Sequence, residues 1–395
     1  MDGVPRGVAP VEIWQAGMPQ SGDQGGHHVL GGDPVAGIQP AADPGAGSPA
    51  EPRVLSPWRG VWKVLLVSVT VLVVLVAGAA ATIYGAVNYY LSSVHRIGNP
   101  FESIPAVQRP PRAAGLAGKD VTFLVGGLDT RSAVPTTGSS AQTVIRGRTD
   151  TLMLVHLLAG GRGAYVVSIP RDSWVPIPGR GDGKVNWAYF FGGPSLAVRT
   201  VEALTHVRID HVAVVDWAGF RAVTDALGGV TINIPVKSYD PANHVIWTAG
   251  VHHLDGRQAL LYVRDRYGLP GGDFDRELRQ QAFLRAVFLE LHHQAELSDP
   301  LHVNSLVHAL TKAVSVDSTL GLTQITHLVP MLRGLNISNI VFATVPYKGT
   351  GWAGSQSVVW LNRSLDAGFW HAFEYDTLPA FMQAHSLQQL GASTP

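Results

Sequence analysis

The sequence predicts an α/β domain, a mixed β-sheet flanked by helices, preceded by one transmembrane helix and a disordered N-terminal tail. Three observations carry that prediction. Beyond residue 120, short apolar runs ending in Gly turns alternate with segments whose apolar residues recur at helical spacing, the pattern of a sheet with helices packed on it. Ahead of that region lies a 24-residue stretch, Val64–Val87, without one charged side chain, and a bilayer core of about 30 Å needs about 20 helical residues. In the first 57 residues, Gly and Pro supply 20 positions and the apolar residues have no period, so no core can form there.

Composition narrows the function classes. Of 395 residues 46% are hydrophobic and 15% charged, and 29 basic side chains balance 29 acidic ones. Zero net charge gives no general basic field for a nucleic acid, so no nucleic-acid partner is expected. The absence of cysteine excludes a disulfide framework, a thiol nucleophile and a Cys-ligated zinc.

In chain order, residues 1–57 are expected as a cytoplasmic tail and 61–90 as the transmembrane helix. Arg53, Arg59 and Lys63 lie upstream of the apolar stretch, against Arg96 close downstream, and Trp58, Trp62, Tyr84, Tyr89 and Tyr90 stand near its two ends. That bias places the N-terminus in the cytoplasm and everything after about residue 90 outside the cell membrane. The stretch is too long, and starts too far into the chain, for a cleaved signal peptide. Residues 91–118, holding Pro100, Pro105, Pro110 and Pro111, read as an extracellular spacer, 119–375 as the folded domain and 376–395 as a loose tail.

Within the domain, Val121–Val125 is an apolar run ending in Gly126-Gly127 and predicts a buried strand. Thr151–Leu158 and Ala164–Ile169 are two more, joined by a Gly-rich turn that suits a hairpin. Pro194–Leu204 has helical spacing with Pro at the first helical position. His211–Val215 predicts a strand, Trp217–Leu227 a helix closed by Gly228-Gly229, and Val230–Ile234 another strand. Gly256–Val263 reads as a short helix capped by Asp255. Asp275–His293 is a longer helix, with an apolar stripe at Leu278, Ala282, Leu284, Val287, Phe288 and Leu291. Helical stretches near 301–314 and 319–333 follow, and Ile340–Val345 is the last expected strand.

Polar residues of this domain gather beside strand ends and Gly turns, where α/β sheets place ligands. The groups are Gly127-Leu-Asp-Thr-Arg131, Arg148-Thr-Asp-Thr151, Ile169-Pro-Arg-Asp172, Lys184-Val-Asn-Trp-Ala-Tyr189, and the stretch from Tyr262 to Gln281. In the last, Arg276, Arg279 and Gln280 can share one helix face, and Arg264 and Arg266 arrive from the preceding helix end. Four guanidinium groups and an amide suit a pyrophosphate better than a single carboxylate. Asp265, Asp273, Asp275 and Glu277 balance these arginines, as they would on a salt-bridged surface, so both readings stand at this point. Asp129 and Asp150 flank apolar strands and, brought together, could hold a magnesium ion that takes further oxygens from substrate phosphates. No His-Glu-x-x-His, Gly-x-Ser-x-Gly or Walker-type loop occurs, which disfavours metalloprotease, serine hydrolase and P-loop chemistry.

Nine motifs run in order: Gly-x-Asp-x-Arg (127–131), Arg-x-Asp-Thr (148–151), Ser-Ile-Pro-Arg-Asp (168–172), Lys-x-Asn-x-Ala-Tyr (184–189), Gly-Gly-Pro (192–194), Ala-Leu-Gly-Gly-Val (226–230), Leu-Asp-Gly-x-x-Ala-Leu (254–260), Tyr-x-Arg-x-Arg (262–266) and Asp-x-x-Arg-x-x-Arg-Gln-Gln (273–281). Together they resemble the LytR-CpsA-Psr family of bacterial cell-wall glycopolymer ligases, from about Val121 to Gln281 and more loosely to about 365. The resemblance implies a mixed sheet flanked by helices with a hydrophobic groove for a polyprenyl chain. It implies a polyprenyl-pyrophosphate-linked glycan as donor and a peptidoglycan sugar hydroxyl as acceptor, with the glycan leaving on its phosphate to form a phosphodiester. By position, Asp129 and Asp150 match the family's magnesium-binding carboxylates. Arg148, Arg171, Arg264, Arg266, Arg276 and Gln280 match its pyrophosphate contacts, and Asp273 a further acid. Arg148, Arg171, Asp273 and Arg276 form the expected catalytic set. Thr149 stands where the family more often has Ser, and 132–147 is somewhat long. The carried glycopolymer stays open among teichoic acid, capsule and arabinogalactan. A binding module for lipid-linked glycan, a polyprenyl-pyrophosphate phosphatase and a membrane-bound regulator of cell-wall genes are the competing functions. The regulator is the weakest, because the tail has neither helical period nor basic patch.

Overall fold

The computed structural model describes residues 94–129, 148–297 and 311–387, with Gly85, Tyr89, Ser92, His308, Ala309 and Leu390. The expected tail 1–57, nearly all of the expected transmembrane helix and the segment 130–147 lie outside these residues. Among the described residues no helix is long and apolar enough to cross a membrane.

Seven strands form the central sheet: β1 (His95–Arg96), β2 (Val121–Asp129), β3 (Arg148–Leu157), β4 (Ala164–Ser168), β5 (His211–Val215), β6 (Val314–Val316) and β7 (Ile340–Thr344). Their spatial order is β1-β6-β5-β2-β3-β4-β7. β2, β3 and β4 run antiparallel to their neighbours in turn, the β3–β4 pair as its Gly-rich turn predicts. β5 joins β2 in parallel and β7 joins β4 in parallel, so the sheet is mixed. The helices are α1 (Asn186–Thr205), α2 (Trp217–Ala226), α3 (Gly256–Arg264), α4 (Asp273–Leu297), α5 (Leu322–Arg333), α6 (Arg363–Glu374) and α7 (Leu378–Ala384).

Side chains alternate across a strand, and here both faces are covered. Leu154 and Val167 join the main core with Val198 of α1 and Phe369 and Phe373 of α6. Their neighbours Met153 and Val166 face the other way, into a cluster with Phe342 and with Leu284 and Phe288 of α4. Helices therefore lie on both faces of the sheet. A satellite core joins Ile232, Leu254, Tyr262 and Phe283 beneath α2, α3 and α4.

Several helix ends follow the expected chemistry. Asp255 caps α3 with a reciprocal box, its carboxylate accepting from Gln258 N while the Gln258 side chain accepts from Asp255 N. Asp216 caps α2 by accepting from Gly219 N at 2.8 Å. α1 is two segments: Gly192 and Gly193 leave helical geometry, Gly193 at φ 60°, and Pro194 opens the second segment.

The structure corrects four expectations. The spacer 91–118 is docked: β1 is part of the sheet, Ile104 is in the main core, and Arg109 grips buried Glu202 at 2.7 Å. A Pro-rich segment has no period to announce such packing, because the anchoring is by single contacts. The tail from 376 is not loose up to Leu387. Leu378 and Met382, one helical turn apart, are fully buried in the main core, and a helix of only seven residues leaves almost no pattern to read. The helix expected to reach 314 gives way to β6 at Val314. Beyond β7 the chain continues into a hairpin, Tyr347–Ala353 with Gln356–Leu361, and then α6, none of which was expected.

Candidate functional site

One cavity of about 520 Å³ opens where β2, β3, α2, α3 and α4 meet. Each element brings its share for a local reason. Gly126 and Gly127 carry the floor at the end of β2, and a Cβ on Gly127 would meet Thr151 at 3.1 Å. β3 begins next to it and delivers Asp150. Beyond β4 the turn at Ile169-Pro170 presents Arg171, while the end of α3 gives Arg264 and, just beyond, Arg266. The first turns of α4 add Arg276 and Gln280.

The charges interlock. Arg171 pairs with Asp150 at 2.5 Å and with Asp273 at 3.3 Å, and Arg276 reaches the other oxygen of Asp273 at 3.2 Å. Asp172 lies 3.8 Å from Arg171 Nε and takes Lys184 at 3.0 Å. Burial opposes the charge on Arg171, but Asp150 and Asp273 outweigh it, so its pKa is raised. Arg276 is pushed the other way, first by burial and then by the Arg171 charge. Among the described residues, Nε of Arg171 and Nε of Arg276 are both buried and have no hydrogen-bond acceptor. Two cationic donors left unanswered at one place are what an anion would satisfy.

Much of the remaining lining is apolar. Phe220 of α2 and Phe283 of α4 stack at 4.3 Å, and Val125, Met153, Val223 and Val287 continue the wall. Arg264 lies over the Trp217 ring, 3.0 Å from its centroid. A cavity whose lining combines several arginines with an apolar wall suits an amphiphile with an anionic head.

The expected residues divide. Asp150, Arg171, Arg264, Arg266, Arg276 and Gln280 all line the cavity, and Asp273 is tied to two of them. Asp129 ends β2 and pairs in register with Arg148, two positions from Asp150 on the neighbouring strand. Arg148 itself is exposed, its guanidinium 5.6 Å from the Phe190 centroid, and it does not line the cavity. Arg131 falls outside the described residues.

Arg279 does not share the face of Arg276. It is buried against Asp265 at 2.8 Å, Ser238 at 2.7 Å and the Tyr262 ring at 4.5 Å, so it is a structural ion pair. Three-residue spacing leaves a helical offset, and here that offset is the difference between cavity and core. The neighbouring Gln281 is fully buried, donating to Ser168 Oγ, Ala343 O and Thr344 Oγ1, and so fastens α4 to β4 and β7. Of the Lys184-to-Tyr189 motif, Lys184 holds Asp172, and Asn186 N donates to Arg171 O at 3.3 Å. These residues position the Arg171 turn and do not line the cavity. Sequence reasoning missed Glu277, which is buried with Oε2 unpartnered and pushed up to about 8, chiefly by that burial. Its position among local charges pointed to a surface instead.

Comparison with known proteins gives a consistent result. The model of the LytR_cpsA_psr family matches residues 98–368. The probable cell wall biosynthesis protein LcpB of Corynebacterium glutamicum is 36% identical over 200 residues, covering 51% of this chain and 47% of that protein. The polyisoprenyl-teichoic acid–peptidoglycan teichoic acid transferase TagU of Bacillus cereus is 31% identical over 261 residues, covering 65% of this chain and 80% of TagU. The chain thus spans about half the length of the corynebacterial relatives. Among solved structures, TagT bound to LI-WTA aligns with a TM-score of 0.53 and 24% identity, covering 68% of this chain and 96% of TagT. The LytR-Csp2A-Psr enzyme of Actinomyces oris aligns with a TM-score of 0.53 and 21% identity, covering 67% and 93%. At these identities the structural likeness shows a shared fold.

Proposed function

The chain belongs to the LytR-CpsA-Psr family, and from that premise we propose that it is a phosphotransferase anchored in the cell membrane with its catalytic domain outside the cell. It would move a glycopolymer, with its phosphate, from a polyprenyl-pyrophosphate carrier to a peptidoglycan sugar hydroxyl. The observation that carries this reading is one cavity whose lining joins four arginines, Arg171, Arg264, Arg266 and Arg276, to an apolar wall. A pyrophosphate would sit at the arginines and the lipid along the wall. TagU, a teichoic acid transferase by name, supports the substrate class.

In the transfer, the acceptor hydroxyl attacks the phosphorus that bears the glycan and yields its proton to a carboxylate beside the phosphates. The bond from that phosphorus to the bridging oxygen breaks, and polyprenyl phosphate departs with the electron pair. Negative charge grows on the departing phosphate, and preorganised cations that need not reorient stabilise it most. Arg171 and Arg276, each held by Asp273 and each with an unanswered buried Nε, are the groups to supply this. Trp217 backs Arg264. Arg148 stands outside this set.

The donor chemistry fits magnesium. Asp150 is a hard oxygen ligand in the cavity lining with one oxygen committed to Arg171, and Asp129 is two register positions away. An ion that keeps most of its waters and takes phosphate oxygens needs little more from the protein. Magnesium held by Asp129 and Asp150 would lower the charge on the phosphate oxygens. A single N-in membrane span at 61–90 would keep the enzyme beside a donor whose lipid cannot leave the bilayer.

The test is transfer itself. The full chain is incubated with a lipid-pyrophosphate glycan and peptidoglycan fragments, with and without magnesium, and the products are identified by mass spectrometry. Phosphodiester-linked glycan together with polyprenyl phosphate is expected. Arg276→Ala should lower the rate by about 100-fold, the cost of removing one preorganised donor. Free glycan phosphate with no linked product would mean a hydrolase and would overturn the transfer.

A further inference from the structure

A second set of ligand-type side chains lies at the opposite end of the same strand pair. Asp120 stands just before β2, His156 is the penultimate residue of β3, and Asp376 occupies the turn between α6 and α7. At about 3.3 Å per residue, His156 is roughly 20 Å along β3 from Asp150, and none of the three lines the cavity. One possible ligating atom from each lies within 4.8 Å of those of the other two.

Among the described residues, each of the three is anchored through one atom and leaves another without a hydrogen-bond partner. Asp120 Oδ1 accepts from Ala159 N at 2.6 Å and faces Arg162 at 3.4 Å, while its Oδ2 has no hydrogen-bond partner. His156 Nδ1 lies 2.8 Å from Thr122 Oγ1, while its Nε2 has none. Asp376 Oδ2 pairs with Arg162 at 2.5 Å, while its Oδ1 has none. Asp120 and His156 are each 3% exposed. His156 Nε2 and Asp120 Oδ2, both buried, face each other at 3.5 Å without a hydrogen bond, and a carboxylate oxygen of Asp376 lies within 4.8 Å of the group, an arrangement that a shared cation would satisfy.

We propose that Asp120, His156 and Asp376 form a structural site for a divalent transition-metal ion, with zinc the best match, that clasps the α6–α7 corner to the central strands. One imidazole with two carboxylates is a zinc-type donor set, whereas magnesium and calcium favour oxygen alone. Nδ1–H of His156 donating to Thr122 leaves the Nε2 lone pair for the ion, the usual outer support of a ligating histidine. His156 Nε2 and Asp120 Oδ2 are 3.5 Å apart, close to the roughly 3.3–3.4 Å edge of a tetrahedron with bonds near 2.05 Å. Asp376, on a partly exposed turn, is the ligand that closes in, and water takes the fourth place. Two carboxylates against Arg162 leave one net negative charge for the cation. Phe373, with its ring 4.8 Å from that of His156, gives the site an apolar shell.

This inference is independent of the transfer reaction, and its test reads metal and stability. The full chain, purified without a histidine tag, is stripped with chelator and titrated with zinc chloride, with metal content measured after desalting. One zinc per chain is expected, and at a hundredfold excess over Kd a rise in Tm of roughly 5 °C. Asp376→Asn and His156→Gln should lose most of that rise, whereas Asp150→Asn should keep it. Cobalt in place of zinc should give visible absorption bands that the two variants lack. No zinc-induced rise in the wild type, or an equal rise in Asp376→Asn, overturns the site. Should His156→Gln fail to fold, Asp376→Asn decides, because its turn is partly exposed and the change keeps the side chain's shape.

Discussion

Glu277 carries an energetic cost that its position on α4 explains. Burial holds the carboxyl up to about 8, against the pull of Arg276. In an unfolded chain it ionises near 4.5, so between these values the folded protein binds more protons than the unfolded one. Its favourable share of stability is complete below about pH 4.5 and is lost as pH rises through about 8. Glu277→Gln removes the penalty of ionising in the interior. The variant is therefore expected to gain on the order of 2–4 kcal/mol over the wild type between pH 5 and pH 8.5, read by urea unfolding at each pH. Parallel pH profiles of the two proteins would mean that Glu277 ionises freely in the folded state. The sequence shows a glutamate among arginines; the cause of its shift is the desolvation that only packing creates.

On α4 as an element, functional and structural roles are sorted by angle. Arg276 and Gln280, four residues apart, line the cavity, whereas Arg279 points into the satellite core and Gln281 toward the sheet. Arg279→Ala would leave the fully buried Asp265 carboxylate without its cation, and is expected to cost about 3–5 kcal/mol in chemical denaturation. Arg276→Ala should cost far less in stability, because its partner Asp273 is part-exposed and keeps Arg171. Equal losses in both variants would remove the distinction. The amphipathic pattern predicted this helix, yet its stripe included Leu278, which is half-buried, and omitted Gln281, which is fully buried. Hydrophobic period cannot register a polar residue whose hydrogen bonds are met by another strand.

For the whole molecule, the cavity serves its proposed use only if it and the lipid donor share one side of the bilayer. The charge bias around Val64–Val87 is the ground for proposing that the domain lies outside. A reporter fused after Pro395 is therefore expected to be active only when it is one that works outside the cytoplasm. A cytoplasmic reporter signal would separate enzyme from peptidoglycan and end the transfer reading. The docked segment 95–109 ties the region after the predicted span to the sheet through β1 and to α1 through Arg109.

Sequence alone determined the α/β class, the β3–β4 hairpin, helix α2 closed by Gly228-Gly229, the capped helix α3, and most of the cationic set. These rest on local rules: period, turn chemistry, and charges spaced along one chain. Tertiary structure decided that Arg171 and Arg276 share Asp273, that Arg148 stays outside, and that the C-terminal helices complete the core. It also brought Asp120, His156 and Asp376, up to 256 residues apart in the chain, to within 4.8 Å. Pairings of that kind are set by the closing of the sheet and the packing of α6 and α7 on it, and no local pattern encodes them.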